Sequence, residues 1–218
     1  MLISTFPTPV QSISPRFTLF KIILINLDFL NNSVIMFTSM KNILIISGHT
    51  NTTSDSVANK TILEQIETQL PGSQVVYLDR LYPDFKIDTA AEQARLMWAD
   101  IIVLQFPVFW FSMPSLLHRW MEETFLHGFS HGSTGDKLRG KTLVISYTTG
   151  APADALPWED FFGNLKATCQ FTGMNWGGCI GTGGVSYQMR NDPQMLAEIT
   201  EKARQHAQRL VAHLEQLS

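Results

Sequence analysis

ADIIVLQFPVFWFSMPSLLHRW, residues 99–120, contains a complete strand, loop and helix pattern. Residues 101–106 form a short apolar run before Pro107, which cannot donate a ladder hydrogen bond, so the run predicts a strand that closes there. Three aromatic residues follow at 109–111. Pro114 then begins a helical pattern, because its fixed φ and missing N–H suit a first turn. A buried strand followed by an aromatic loop and a helix provides a surface for a flat ligand.

The composition indicates a globular domain without a basic surface. The chain has 218 residues, 44% of them hydrophobic, which is enough for one domain with a sizeable core. The formal net charge of −3 provides no basic field, so we expect no nucleic-acid partner. Two cysteines, Cys169 and Cys179, do not make a secreted disulfide framework and indicate a reducing compartment. No apolar run reaches the length of a membrane span.

Residues 1–40 differ in composition from the rest of the chain. They contain three charged residues, Arg16, Lys21 and Asp28. Lys21 and Asp28 interrupt the most apolar part, whereas a signal peptide has an uninterrupted apolar centre and a small-residue cleavage site. We therefore interpret residues 1–40 as an extension outside the fold, rather than as a targeting or anchoring segment. The single domain is expected over residues 41–218.

Strands and helices alternate from Lys41 onward. The predicted strands are residues 42–47, 74–78, 101–106, 141–147 and 175–180. The helical patterns between them each have one apolar face, and the last begins at Asp192-Pro193. Thr89 and Glu92 have the spacing of a capping box for the helix that runs toward Ala99. Five strands with helical connections predict an α/β fold in which helices cover both faces of a mostly parallel sheet.

Topology selects three loops as the candidate site. In a doubly wound five-stranded sheet of order 2-1-3-4-5, the chain reverses direction between strands 1 and 3. Ligands bind beyond the carboxyl ends of the strands at that reversal. The loops there are residues 48–59, 107–113 and 148–157. The first lacks a dinucleotide glycine fingerprint, but its hydroxyls lead into a helix N-terminus that suits a phosphate. The same residues are also compatible with an ordinary N-cap.

The three loops together match the needs of a flavin. The first suits the phosphate tail, the aromatic residues of the second suit the apolar edge of the ring, and Thr148-Thr149-Gly150 in the third offers donors for the pyrimidine edge. A single aromatic residue would more simply be part of the core, so this interpretation depends on the three loops acting together.

An ordered set of short motifs identifies a family. They are Gly48-His49, Ser56-Val57-Ala58-Asn59, residues 81–88 (LYPDFKID), Pro107-Val108-Phe109-Trp110, Ser112-Met113-Pro114, Trp120, Thr148-Thr149-Gly150 and Phe171-Thr172-Gly173-Met174. From Lys41 to about Gly178, the chain resembles the flavodoxin-2 family of NAD(P)H:quinone oxidoreductases. Within that family it is most similar to the bacterial flavoprotein subunits that accompany glutathione-regulated potassium-efflux systems. The resemblance implies a flavodoxin-like fold with a five-stranded parallel sheet.

The resemblance also implies roles for individual residues. His49 and the segment Ser56, Val57, Ala58 and Asn59 would hold the flavin's phosphate and ribityl region. Pro107, Val108, Phe109 and Trp110 would line the isoalloxazine ring, and Thr148, Thr149, Gly150 and Ala151 would face its pyrimidine edge. His131 falls where the family places a residue over the substrate side of the ring.

The chain departs from the family pattern in three places. Thr50 occupies a position that is commonly proline, in a loop that is one residue longer. Ala151 replaces the second glycine of a Thr-Thr-Gly-Gly pattern, and an alanine would be strained there if that position needs a positive φ. Residues 152–161 contain no equivalents of the tyrosine and histidine that steer charge in animal members.

We expect no metal site and no side-chain nucleophile. His127 and His131 are four residues apart, but Gly128 and Gly132 disfavour the regular helix that would make them a metal pair. In the implied reaction, NAD(P)H reduces FMN, with FAD as the other candidate, and a quinone then takes its place by a ping-pong mechanism. No residue is therefore assigned as strictly catalytic.

The implied setting is a homodimer in the cytoplasm, with the inner face of the cell membrane as a second location. Two other functions stay open. One is a regulatory flavoprotein subunit of a potassium-efflux transporter, in which binding the transporter matters more than turnover. The other is a one-electron flavodoxin-type carrier, although such carriers are usually strongly acidic and this chain has a net charge of only −3.

Overall fold

A computed structural model describes residues 41–218. The interpretation of residues 1–40 as an extension lies outside the described residues. Five parallel strands form one sheet in the order β2-β1-β3-β4-β5, which confirms the predicted doubly wound topology. The strands are β1 (Ile43–Ser47), β2 (Gln74–Tyr77), β3 (Ile101–Pro107), β4 (Thr142–Thr148) and β5 (Asn175–Thr182). The carboxyl ends of β1, β3 and β4 therefore lie side by side.

Helices cover both faces of the sheet. They are α1 (Ala58–Gln69), α2 (Leu78–Leu81), α3 (Thr89–Trp98), α4 (Ser115–Thr124), α5 (Gly163–Thr172) and α6 (Pro193–Leu217), with 3₁₀ turns at Trp158–Phe162 and Tyr187–Asn191. Helices α3, α4 and α5 pack on one face, and α1 and α6 pack on the other. Among the described residues, no helix combines the length and the hydropathy needed to cross a bilayer.

Side-chain caps were predicted for two helices, and one of the two predictions was wrong. Asp192 caps α6, because its side chain accepts hydrogen bonds from two backbone N–H groups of the first turn. Thr89 does not form the predicted capping box. The N-cap of α3 is Asp88, which accepts from the Ala91 N–H at 3.0 Å. Glu92 is instead buried, where tertiary contacts rather than the local pattern decide its role.

Candidate functional site

A cavity of about 410 Å³ lies at the carboxyl ends of β1, β3 and β4. All three predicted loops contribute to it, and so does the segment between β5 and α6. The predicted site residues that line it are His49, Ser56, Val57, Ala58, Asn59, Pro107, Val108, Phe109, Thr148, Thr149 and Gly150. Its size and its mixture of apolar walls with a few polar groups are typical of a small-molecule site.

His49 forms one end of the cavity floor. It is buried, and its Nδ1 accepts a hydrogen bond from the Asn51 N–H at 2.9 Å. Burial lowers the pKa of His49, and the nearby carboxylates of Asp79 and Asp55 only partly oppose that effect. The imidazole is therefore neutral at pH 7, with its proton on Nε2 available as a donor.

The start of α1 has free backbone donors. The backbone N–H groups of Val57, Ala58 and Asn59 donate to no acceptor in residues 41–218. Val57 is the N-cap and makes no side-chain cap bond, and the first turn of α1 contains no acidic residue. Free N–H groups at the positive end of a helix suit an anion such as a phosphate group. The residues present therefore fit the phosphate of a flavin nucleotide.

Sequence reasoning missed Asp79, which holds the loop after β1 in place. It lies on α2, and its Oδ2 accepts from the N–H of Thr52 at 2.6 Å and from the Thr52 hydroxyl at 2.7 Å. The short helix α2 was not predicted, because residues 78–81 were interpreted as the end of a strand and a connection. Only the pairing of β1 with β2 brings this carboxylate beside the loop.

Arg190 was also missed, and it covers one side of the cavity. Its guanidinium lies 3.5 Å from the centre of the Tyr187 ring and forms an ion pair with Asp55 at 3.2 Å. Both Arg190 and Tyr187 line the cavity. The available signal was modest, since Arg190 is the single basic residue between β5 and α6.

The aromatic loop contributes Phe109 but not Trp110. Phe109 and Ser112 pair across a two-residue turn whose central residues, Trp110 and Phe111, have φ values of 50° and 63°. The turn directs Trp110 outward, so its side chain is 94% exposed and does not line the cavity. Phe109 lies edge-on to His49, with ring centroids 6.1 Å apart. Trp110 does not line this cavity, and its predicted role at the flavin ring stays a prediction.

The Thr-Thr-Gly loop provides fewer free donors than expected. The Thr149 N–H donates to the Thr182 carbonyl at 2.9 Å, and the Thr149 hydroxyl donates to the Ala151 carbonyl at 2.8 Å. Ala151 packs against the core outside the cavity lining. Among the described non-glycine residues, positive φ occurs only at Phe85, Trp110 and Phe111, so the strain considered for Ala151 does not arise.

His131 lies apart from the other predicted residues. It lines a second cavity of about 300 Å³, where its Nδ1 is 2.9 Å from the Ser130 hydroxyl and its ring is 5.2 Å from that of Phe171. Its substrate-side role stays a prediction. In the described part of the chain, no three His, Cys, Asp or Glu side chains are grouped to hold a metal ion.

Comparison with known protein families agrees with the strand order of the sheet. The Flavodoxin_2 family model, whose description is a flavodoxin-like fold, matches residues 41–209. The chain belongs to this family. Over 140 residues it is 43% identical to the glutathione-regulated potassium-efflux system ancillary protein KefF of Klebsiella aerogenes, which covers 62% of this chain and 78% of that protein.

Solved structures of similar fold support the family assignment. General stress protein 14 of Treponema denticola, solved in complex with FMN, has a TM-score of 0.68 and 25% identity, covering 82% of this chain and 99% of that one. An NADPH-quinone reductase from P. pentosaceus has a TM-score of 0.59 and 21% identity, covering 77% of this chain and 98% of that one, and shows the shared fold.

Proposed function

We propose that the protein is a flavin-dependent NAD(P)H:quinone oxidoreductase in which residues 41–218 form the FMN-binding domain. The observation that carries the proposal is the row of free backbone N–H groups at the start of α1, which lies at a cavity with an apolar wall at Val108 and Phe109. The FMN complex of the Treponema denticola relative supports FMN as the ligand. It also favours FMN over FAD.

Each side of the cavity would hold one part of the nucleotide. The free N–H groups of Val57, Ala58 and Asn59 and the Nε2–H of His49 would donate to the phosphate. Phe109 would pack against the ring, and Thr148 would donate a hydrogen bond from its hydroxyl. Bound FMN supplies the two-electron hydride chemistry, so no side-chain nucleophile is required.

The substrates would use the solvent-facing side of the cavity in turn. Because one site would serve NAD(P)H first and a quinone second, initial-rate kinetics should follow a ping-pong pattern. The protein residues would then position the two substrates and exclude water, rather than exchange protons as general acids or bases.

The test is NADPH oxidation by the FMN-loaded full chain with menadione as acceptor. We expect turnover that depends on added FMN, a rate reduced at least about tenfold in His49→Leu, and little change in the matched control His213→Leu. His213 lies on α6 outside the cavity, where it contacts the Gly177 carbonyl. No menadione-dependent NADPH oxidation, or equal loss in both variants, would contradict the proposal.

A homodimer is proposed as the assembly. The large apolar side chains Trp110, Phe111 and Phe161 are exposed at and beside the aromatic loop by 94%, 53% and 37%, and the Phe111 and Phe161 rings lie 5.5 Å apart. Exposed aromatic groups of this extent are typical of an interaction surface. Light scattering of the purified full chain should give twice the chain mass, whereas a monomer at micromolar concentration would contradict this assembly.

A second candidate function is regulation of a potassium-efflux transporter. The observation that favours it is the 43% identity to KefF, a named ancillary protein of such a system, over 78% of that relative. In that role the protein would be cytoplasmic and would bind at the inner face of the membrane. Saturable binding of the full chain to the transporter's isolated cytosolic domain, together with slow NADPH turnover, would favour regulation over catalysis.

A further inference from the structure

A continuous series of hydrogen bonds connects the cavity to the outer side of α6. In order from the cavity, its members are Thr148, Asn59, Gln105, Ser146, His206, Thr182 and Arg209. We call this series the His206 chain. Six of its seven side chains are buried, and only Arg209 is exposed.

The inner half of the His206 chain contains two amides. The Asn59 Nδ2 group donates to the Thr148 Oγ1 at 3.1 Å, and the Gln105 Nε2 group donates to the Asn59 Oδ1 at 2.8 Å. The hydroxyl of Ser146 donates to the Gln105 Oε1. Gln105 and Ser146 are register partners on β3 and β4, so the sheet itself sets their separation.

His206 joins this inner half to the outer half. Its Nε2 is 2.7 Å from the Ser146 Oγ, and its Nδ1 is 2.9 Å from the Thr182 Oγ1. Arg209 Nη2 donates to the same Thr182 Oγ1 at 2.8 Å. His206 has no exposed surface, and burial lowers its pKa to about 3, so the ring is neutral and carries one proton.

The direction of the outer half follows from counting protons. The Gln105 Oε1 can only accept, so the one hydroxyl proton of Ser146 goes to it, and Ser146 must accept from Nε2 of His206. The single proton of the neutral ring therefore lies on Nε2, so Nδ1 accepts from the Thr182 hydroxyl, which in turn accepts from Arg209. Every bond in this half therefore points toward the cavity.

The inner half continues in the same direction. Gln105 donates to Asn59, and Asn59 donates to Thr148. At the cavity end of the series, the hydroxyl proton of Thr148 has no acceptor among the described residues, and Thr148 lines the cavity. Hydrogen bonds that point the same way polarise one another, and this series ends on a cationic guanidinium that strengthens the polarity.

We infer that the His206 chain fixes the hydroxyl of Thr148 as a hydrogen-bond donor into the cavity, which makes Gln105, Ser146, His206 and Thr182 positioning residues for the flavin. The inference rests on the proposed function. The chain orients groups and does not transfer protons, because the amides of Asn59 and Gln105 cannot readily relay one.

The test compares isosteric threonine substitutions in the full chain. Thr182→Val removes the hydroxyl that donates to Nδ1 of His206, and Thr182→Ser retains it. Thr124→Val is the matched control, because Thr124 is equally buried and its hydroxyl donates only to the Trp120 carbonyl at 2.7 Å. The measurements are the FMN dissociation constant and the His206 tautomer, the latter from ¹⁵N NMR of the flavin-free protein.

We expect Thr182→Val to raise the FMN dissociation constant about three- to tenfold, with Thr182→Ser and Thr124→Val within about twofold of wild type. Ser146→Ala, which interrupts the chain closer to the cavity, should have an effect at least as large. Wild-type His206 should be protonated on Nε2.

Two results would overturn the inference: a wild-type His206 protonated on Nδ1, or equal FMN affinity in Thr182→Val and Thr124→Val. Wild-type protein that binds no FMN would refute the proposed function instead. The NMR measurement needs no flavin, so it would still decide the direction of the chain.

Discussion

Two buried polar clusters lie on opposite faces of the sheet. In one, which we call the closed cluster, both carboxylate oxygens of Glu92 accept hydrogen bonds from protein groups. The other, the His206 chain, is open, because it ends on a donor that has no acceptor among the described residues. On one face, Glu92 accepts from the Tyr82 hydroxyl at 2.6 Å and from the Trp120 Nε1–H at 2.9 Å, and it pairs with Arg95. Both of its oxygens are occupied. On the other face, the His206 chain ends at Thr148 with a proton that has no acceptor in residues 41–218.

The difference separates a structural role from a ligand-binding role. The Glu92 cluster joins α3, α4 and the residue that follows α2, so it fixes the helix layer. Burial and then the hydrogen bond to Glu92 raise the pKa of Tyr82 to about 12. The His206 chain instead lies under the cavity, where an unfilled donor is useful to a ligand. A closed cluster stabilises the fold, and an open one serves a site.

The two faces of the sheet also differ in the residues near the carboxyl ends of the strands, which are polar on one face and hydrophobic on the other. Toward α1 and α6, the apolar residues of three strands are followed near the carboxyl end by a buried polar residue, namely Ser47, Gln105 and Ser146. Toward α3, α4 and α5, the alternating residues stay hydrophobic to the end of the strands: Ile46, Phe106 and Tyr147. The polar row is level across β1, β3 and β4.

The largest expected effect is on the free energy of unfolding, when a substitution disrupts the Glu92 cluster. Glu92→Ala leaves buried donors of Tyr82 and Trp120 without an acceptor, so the free energy of unfolding should fall by about 3 kcal/mol. Urea unfolding of the flavin-free protein measures it. FMN affinity of the folded variant should stay within about twofold of wild type. Glu64→Ala, at an exposed position, is the control. A tenfold loss of FMN affinity in Glu92→Ala would contradict a purely structural role for the Glu92 cluster.

The next largest effect is the pH dependence of the free energy of unfolding, to which His206 contributes. The pKa of His206 is about 3 in the folded protein against 6.5 for a free histidine, so the unfolded state binds more protons between these values. Stability therefore rises with pH in that window, and acidification from pH 7 to pH 5 should cost about 2 kcal/mol from this group.

The lowered pKa of His49 adds a smaller loss in the same direction. In His206→Gln the unfolding free energy should therefore depend less steeply on pH between 7 and 5. An unchanged slope in that variant, measured by urea unfolding at each pH, would show that His206 is not held neutral.

Asn59→Leu should mainly affect ligand binding. The substitution keeps the branched shape of the side chain but removes both hydrogen bonds that link Gln105 to Thr148. FMN affinity should fall about tenfold, equivalent to about 1.4 kcal/mol, because the Thr148 hydroxyl loses its orientation. Fluorescence titration measures it, with Asn175→Leu, at an exposed position outside the cavity, as the matched control.

The smallest effect is expected at Trp110. Its side chain is 94% exposed and outside the cavity, so Trp110→Ala should change FMN affinity by less than about threefold. Phe109→Ala, which removes a lining residue, should have the larger effect. Equal large losses in both variants would show that the exposed side of the aromatic turn also contacts the flavin.

The topology and most of the cavity lining were predictable from the sequence because they depend on local patterns. Apolar runs predicted the strands, and their alternation with helices predicted a parallel, doubly wound sheet. The order 2-1-3-4-5, which the family resemblance implies, then selected the loops. The orientation of Trp110 was not predictable, since it depends on a turn with two positive φ values that carries no glycine.

Long-range partners account for the other failures. Glu92 has the spacing of a capping residue, but contacts with Tyr82 and Trp120, 10 and 28 residues away, decide its position. The bond between Asn59 and Thr148 spans 89 residues, so no single stretch reveals the His206 chain. Its one signal in the sequence was a polar residue near the end of each of three apolar strands, namely Ser47, Gln105 and Ser146.

Titration of the purified full chain with FMN tests the central claim most directly. Binding in the cavity predicts saturable quenching of FMN fluorescence with one FMN per chain, weakened about tenfold in Asn59→Leu and unchanged within about twofold in Glu92→Ala. No quenching by the wild-type protein, or the same affinity in Asn59→Leu as in wild type, would contradict it.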